Sequence, residues 1–234
     1  MKNIELFKSV FIGLPCYNEE RDINELINRI LEIEDIVKNK FNLQMRIICV
    51  NDGSTDETEK IIKSRQEKNI CLINHETNKG LGEAVKTILK EFKNKGNEKD
   101  YLIIMDADNS HNPKYIIDLI KKQLDTNSDI VIASRYQKGT KISGLKKYRI
   151  AISNLAKIWY TKMLQIPNVK DYTCGYRLYT YNSINNALEK YKNNIITQSS
   201  FACMMELLYK LYQNGATIIE IPFSLEYDKK KRKK

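Results

Sequence analysis

The chain has 234 residues, of which 42% are hydrophobic, and it carries a formal net charge of +10. A chain of this length and apolar content can bury a full core, which excludes an intrinsically disordered protein. Its five cysteines are odd in number and form no Cys-x-x-Cys pair. Neither a disulfide framework nor a zinc site is therefore predicted, and a reducing, cytoplasmic setting is expected.

The positive charge is concentrated at the carboxyl end. Residues 229–234 are all basic, and 33 basic against 29 acidic residues remain before them. Such a tail is drawn to an anionic membrane surface or to nucleic acid. No apolar run approaches the roughly 20 residues that span a bilayer, so a soluble protein, or one bound peripherally at the cytoplasmic face of a membrane, is expected.

Short apolar runs that stop at polar residues predict buried strands in the first part of the chain. These runs cover 10–14, 46–50, 70–73, 101–105 and 130–134. Helical patterns lie between them, over 20–31, from Ser54 or Thr55 to about 66, from about 82 to 93, and over 113–124. This alternation predicts an α/β fold with a doubly wound, mostly parallel sheet and helices on both of its faces.

The second half has a different pattern. A long helical stretch over 144–166 mixes apolar and basic residues, so it either lies at a membrane surface or packs its apolar face on the sheet. A short element over 171–177, a helix over 201–212 and a strand over 216–221 follow. No linker rich in Gly, Pro or Ser divides the chain.

Two carboxylates, Asp106 and Asp108, stand at the end of the fourth predicted strand. In parallel α/β sheets ligands bind beyond the carboxyl ends of the strands, where one carboxylate can take a hydroxyl and the other a divalent cation. The alternative is that both are solvated loop acids, with Asp108 or Asn109 capping the helix after Pro113.

Acidic residues also follow the first and second strands, at Glu19 and Asp52. Adjacent carboxylates repel each other, so their convergence at one sheet edge favours binding of ribose hydroxyls, a base amino group and a metal. No Gly-x-Gly-x-x-Gly follows the first strand, which argues against a dinucleotide oxidoreductase. Aromatic and basic residues do not alternate on a strand, so nucleic acid is not an expected partner.

The ordered set Pro-x-Tyr-Asn-Glu, Asp-Gly-Ser-x-Asp, Gly-Leu-Gly and Asp-Ala-Asp resembles family 2 glycosyltransferases of the GT-A fold. Later segments resemble the polyprenol or dolichol phosphate mannosyltransferase-like branch. The match runs from about residue 9 to the end and implies one catalytic domain over 1–228, with a nucleotide-binding half over 1–110 and an acceptor-binding half over 111–228. Many relatives continue into membrane helices, so the tail at 229–234 marks a candidate truncation point.

The resemblance implies a nucleotide-diphosphate sugar donor of the GDP-mannose or UDP-glucose class. It assigns donor binding to Pro15, Tyr17, Glu19, Val50, Asp52, Asp106, Ala107, Asp108, Arg135 and Lys229. It also implies catalytic roles for Asp106, Asp108 and Arg135, and a Mg²⁺ or Mn²⁺ ion held by Asp108 and Ser110. Asn51 stands where many relatives have Asp, which weakens any role for that side chain.

The same branch implies inverting transfer to a polyprenyl phosphate acceptor at an anionic membrane surface. It assigns acceptor binding to Arg135, Arg149, Ser153, Asp171, Arg177 and Glu206. The alternative for the two basic positions, Arg135 and Arg149, is a solvated helix face. Transfer to a soluble glycan or protein hydroxyl, with Asp171 or Glu206 as the base, and a non-catalytic nucleotide-sugar binding module are the competing functions.

Overall fold

The computed structural model describes residues 8–140, 142–143 and 163–226. Its strands are β1 (Lys8–Cys16), β2 (Leu43–Asp52), β3 (Ile70–His75), β4 (Tyr101–Ile104), β5 (Ile130–Ser134), β6 (Ile142–Ser143), β7 (Arg177–Thr180), β8 (Ile218–Pro222) and β9 (Leu225–Glu226). Its α-helices are α1 (Ile23–Leu31), α2 (Glu34–Phe41), α3 (Thr58–Lys63), α4 (Leu81–Lys95), α5 (Tyr115–Thr126), α6 (Tyr181–Tyr191) and α7 (Ala202–Gln213), and a 3₁₀ helix covers Lys192–Ile195.

Seven strands form the main sheet in the order β3-β2-β1-β4-β7-β5-β8. Neighbouring strands are parallel except for β7, which runs antiparallel to both β4 and β5. Every residue of β4 and β5 is buried, so both faces of the sheet are covered there. The prediction of a mostly parallel α/β sheet is confirmed, whereas residues 171–176, predicted as part of a short element, form a loop that leads into β7.

The third helix is shorter than predicted and begins later, at Thr58. No side chain caps it at Glu57, so the prediction of a cap at Ser54 or Thr55 is wrong. These polar groups instead join two loops. The backbone N–H of Asn18 donates to Ser54 Oγ at 3.0 Å, and the backbone N–H of Thr55 donates to Asn18 Oδ1 at 2.9 Å. A contact between the loops after β1 and β2 thus replaces the helix cap.

Helix α6 was not predicted, although its sequence carries a helix signal. The Thr180 side chain accepts a hydrogen bond from the Ser183 amide, which is an N-cap. Ile184 and Leu188 are buried four residues apart on one face. The predicted helix over 144–166 lies largely outside the described residues. Within the described ranges, no helix is long and apolar enough to cross a bilayer.

Candidate functional site

Three acidic loops meet at one edge of the sheet. Strands β2, β1 and β4 are parallel neighbours, so their carboxyl ends and the loops that follow them lie side by side. They enclose a pocket of about 250 Å³. The pocket is lined by seven of the ten predicted donor residues, namely Pro15, Tyr17, Glu19, Asp52, Asp106, Ala107 and Asp108.

Hydrogen bonds between loops fix this edge of the sheet. The Glu19 amide donates to Thr58 Oγ1 at 2.7 Å, and the Glu20 amide donates to Asp56 Oδ2 at 3.1 Å. The same Asp56 carboxylate accepts the Thr58 amide at 3.0 Å. The Pro-x-Tyr-Asn-Glu and Asp-Gly-Ser-x-Asp motifs are therefore fastened to each other, which keeps the pocket wall in one conformation.

Asp106 and Asp108 occupy different environments in the pocket. Asp108 is exposed, and its Oδ1 accepts the Ser110 amide at 3.0 Å, so the predicted alternative of a helix cap is not observed. Asp106 packs against Gly175 and lies 3.5 Å from His111 Nε2. Burial raises the pKa of Asp106, His111 opposes that rise, and the charge of Asp108 adds to it.

Negative charge is crowded in the pocket. Burial, followed by the charges of Asp108, Asp22 and Asp106, raises the pKa of Glu19 to about 8. Carboxylates held this close favour the binding of a cation, because a cation removes their mutual repulsion.

The residues present fit a divalent cation that takes some of its ligands from the protein and the rest from a bound substrate and water. Within the described residues, no group of three or more His, Cys, Asp or Glu side chains is arranged to hold a metal. Mg²⁺ is commonly held by one or two carboxylates, with substrate phosphates and water completing its shell. The exposed Asp108 carboxylate with the neighbouring Ser110 matches that pattern. It does not resemble a site in which the protein supplies all of the ligands.

Asp52 is nearly buried, with 4% of its side chain exposed. Its Oδ1 lies 2.6 Å from His75 Nδ1 and accepts the Lys79 amide at 3.0 Å, while Oδ2 accepts the Gly80 amide at 2.8 Å. The carboxylate thus ties β2 to the end of β3 and to the loop before α4, and it still borders the pocket.

Arg135 and Asp171 form a buried ion pair. Arg135 donates to Asp171 from its amide at 3.0 Å, from Nε at 2.8 Å and from Nη2 at 2.7 Å. Glu220 holds the same loop by accepting the Lys170 and Asp171 amides, each at 2.7 Å. Arg135 is not among the residues that line the pocket, but its charge acts on Asp106 and opposes the rise in the pKa of that carboxyl group.

The other predicted site residues lie away from the pocket or beyond the described ranges. Val50 and Arg177 have no exposed surface, and Arg177 donates to the carbonyls of Met204 and Tyr172. In this structure Arg177 lies inside the core, where an acceptor does not reach it. Arg149, Ser153 and Lys229 lie outside the described residues.

Glu206 holds a loop instead of facing the pocket. Its carboxylate accepts the amides of Thr197 and Gln198, at 2.8 and 3.0 Å, and pairs with Lys210 at 2.6 Å. This loop packs on the Gly-Leu-Gly motif, where a Cβ on Gly82 would lie 1.9 Å from the Gln198 carbonyl oxygen. Glycine is required there by the close approach of two backbones.

The sequence reasoning missed several residues at the site, among them His75, His111, Gly175 and Phe201. His75 is the registered partner of Asp52 on the neighbouring strand, so strand pairing is the signal that identifies it. Phe201 is 61% exposed at the pocket wall, beside the last turn before α7. Neither Gly175 nor Phe201 has a local sequence signal, because both reach the pocket through tertiary packing.

A larger groove of about 570 Å³ lies at the opposite end of β2 and β3. Basic side chains surround it, namely Lys38, Arg46, Lys68 and Lys95, with Glu34 as the one lining carboxylate among the described residues. The groove is at the amino ends of the parallel strands, where α/β sheets do not place their ligands. The smaller acidic pocket is therefore the candidate active site.

Substituting Gly175 with alanine is expected to slow any reaction at the pocket about tenfold or more, because small displacements of reacting groups are costly. The new Cβ would lie 3.0 Å from Asp106 Oδ1 and would push that carboxylate away. The thermal midpoint should change little, since the backbone of Gly175 is one that alanine adopts. Steady-state rates and thermal unfolding of the two proteins check this, and an unchanged rate would contradict it.

Two comparisons with known sequences bear on this pocket. The model of glycosyl transferase family 2 matches residues 11–211. A dolichol-phosphate mannosyltransferase of Pyrococcus furiosus is 30% identical over 217 residues, which are 92% of this chain and 56% of that protein. A polyprenol monophosphomannose synthase of Mycolicibacterium smegmatis is 27% identical over 216 residues, covering 90% of this chain and 75% of that one.

The fold has a counterpart among solved structures. Glucosyl-3-phosphoglycerate synthase of Mycobacterium tuberculosis, in complex with UDP, has a TM-score of 0.66 and 15% identity, and the match covers 94% of this chain and 72% of that chain. The predicted GT-A fold is thereby confirmed. Since the family match spans all three acidic loops of the pocket, this chain belongs to glycosyl transferase family 2.

Proposed function

We propose that this protein transfers a sugar, with inversion, from a nucleotide-diphosphate sugar to a polyprenyl or dolichyl phosphate. The donor is of the GDP-mannose or UDP-glucose class. The observation that carries the proposal is the gathering of Glu19, Asp52, Asp106 and Asp108 from three loops into one pocket. An acidic pocket binds an anionic diphosphate only with a cation, which agrees with a metal-dependent family 2 enzyme.

In this proposal Asp108 and Ser110 would hold Mg²⁺ or Mn²⁺ beside the donor diphosphate. When bound, the ion neutralises the negative charge that develops on the leaving diphosphate. Asp106 lies beside Asp108 and is kept in place by Gly175 and His111, so it orients the donor. Arg135, fixed by Asp171, supplies positive charge that acts on Asp106.

A phosphate acceptor is already anionic near neutral pH and attacks without a strong general base. Positioning by arginine is then the main requirement, because its planar guanidinium holds phosphate oxygens in a fixed orientation. Arg135, Arg149 and Ser153 are the proposed acceptor contacts, and the names of the two relatives support a polyprenyl phosphate. The division into nucleotide-binding residues 1–110 and acceptor-binding residues 111–228, and a peripheral position at a membrane surface, belong to the same proposal.

A transfer assay with two acceptors tests this function. Purified protein is given GDP-mannose or UDP-glucose with Mn²⁺ and either a short-chain polyprenyl phosphate or a free saccharide. Labelled lipid product with either donor supports the proposal. Transfer to the saccharide alone would support the alternative of a soluble acceptor, and donor binding without any transfer would support a binding module.

Replacing Arg149 with alanine is expected to raise the KM for polyprenyl phosphate about tenfold, which is the effect of losing one charge-assisted hydrogen bond to phosphate. The affinity for the nucleoside diphosphate should stay unchanged. Arg46→Ala, at the opposite end of β2, serves as the control for loss of one positive charge. Acceptor titrations and calorimetry separate the two effects, and equal loss of both in Arg149→Ala would refute the assigned role.

A further inference from the structure

The Asp52 carboxylate has nearly all of its hydrogen-bonding capacity occupied by the protein. An ionised carboxylate offers about four acceptor positions, two on each oxygen. On Oδ1 both are taken, by His75 Nδ1 at 2.6 Å and by the Lys79 amide at 3.0 Å. On Oδ2 the Gly80 amide takes one at 2.8 Å, which leaves a single position.

His75 has its own partner on the side away from Asp52. Its Nε2 lies 2.9 Å from Thr87 Oγ1 on α4, and 8% of its side chain is exposed. Because the Asp52 carboxylate only accepts, Nδ1 carries a proton and donates to Oδ1, while Nε2 is within hydrogen-bond distance of the Thr87 hydroxyl. The 2.6 Å contact with Asp52 holds the Nδ1 side of the imidazole ring, so the donor to Oδ1 stays in place.

From this arrangement we infer that His75 sets the base specificity of the donor pocket, and that the pocket takes a uracil nucleotide in preference to a guanine nucleotide. This inference rests on the proposed nucleotide-sugar function. Uracil presents one N–H, between two carbonyl groups, and it matches the one open position on Asp52. Guanine presents two adjacent N–H groups, which pair well with a carboxylate only when both oxygens are open.

A guanine edge at Asp52 would leave one N–H against the saturated Oδ1. An unsatisfied donor against the buried Asp52 carboxylate weakens binding, and specificity built in this way is a difference between two affinities. UDP should therefore bind at least about tenfold more tightly than GDP, with Mg²⁺ present in both cases. His75 touches neither the reacting atoms nor the base, so its role is that of a positioning residue.

Calorimetric titration of UDP and GDP against four proteins tests the inference. In the wild type the expected ratio of dissociation constants is at least tenfold in favour of UDP. His75→Phe keeps an aromatic ring but removes the donor to Oδ1. The affinity for GDP should therefore rise relative to that for UDP, and the ratio of the two dissociation constants should fall below the wild-type value. His75→Asn restores a donor near the position of Nδ1 and should recover the preference, and Thr87→Val leaves the His75 donor in place and should keep it.

Each result has a defined meaning. Equal affinities in the wild type, or tighter GDP binding, would overturn the inference, and this holds even if His75→Phe does not fold. A ratio that stays unchanged in folded His75→Phe, or that collapses equally in Thr87→Val, would overturn the role of His75. Failure of both nucleotides to bind the wild type would instead overturn the proposed function itself.

Discussion

Asp108→Asn is expected to lower metal-dependent sugar transfer by about a thousandfold, the size of effect seen when one group that stabilises developing charge is removed. Asp108 is the exposed carboxylate of the pocket, and its charge, with that of Asp106, contributes to raising the pKa of Glu19 to about 8. Asparagine keeps the shape and an oxygen atom but removes the charge that attracts the cation. Initial rates with increasing Mn²⁺ measure the loss.

Asp125→Asn is the matched control, because it removes the same charge from an exposed position on α5. Its rate and its metal dependence should equal those of the wild type. If Asp108→Asn kept the wild-type response to Mn²⁺, the metal would be bound elsewhere and the role assigned to Asp108 would be wrong.

Asp171→Asn is expected to destabilise the protein at neutral pH by about 3 kcal/mol, as found when one member of a buried ion pair is removed. Asp171 has no exposed surface and accepts three hydrogen bonds from Arg135. The Arg135 side chain is itself only 17% exposed. The variant leaves the guanidinium charge without its partner. Urea unfolding at neutral pH measures the loss, and Glu57→Gln, which breaks an exposed ion pair with Lys60, is the control.

The same substitution carries a signature in pH. Burial alone would raise the pKa of Asp171, but hydrogen bonds and charge from Arg135 outweigh burial and hold that pKa below its ordinary value. A carboxylate with a lowered folded-state pKa stabilises the fold above its unfolded pKa of roughly 4, and this stabilisation is lost as the pH falls through the folded-state value. The stability difference between wild type and Asp171→Asn should therefore narrow in acid, and a difference that stays constant with pH would contradict the ion pair.

The strands that build the pocket could be predicted because their signals are local. Apolar runs that stop at Pro15, Asn51 and Asp106 mark strand ends, and the alternation with helices predicts parallel pairing. Parallel neighbours bring their following loops together, so the approach of Glu19 to Asp108 follows from the topology alone.

The partners of the charged side chains could not be predicted in the same way. Arg135 and Asp171 are 36 residues apart and meet through tertiary packing, and the same is true of Asp106 and Gly175. The Gly-Leu-Gly motif was one of four that indicated the family, but the physical reason for its second glycine is the loop that Glu206 holds against Gly82. Sequence motifs thus indicated where the site lies, but the partners of its side chains became known only from the folded structure.

Crystals grown with Mn²⁺ and UDP provide the most direct measurement, because Mn²⁺ scatters anomalously and its position is read without assumptions about the protein. The expected result is an anomalous peak beside Asp108, with the pyrophosphate between that ion and the pocket wall of Pro15 and Tyr17 and the uracil at Asp52. Mn²⁺ and UDP bound in the basic groove at Arg46 and Lys68, or Mn²⁺ bound away from Asp108, would contradict the assignment of the acidic pocket as the donor site.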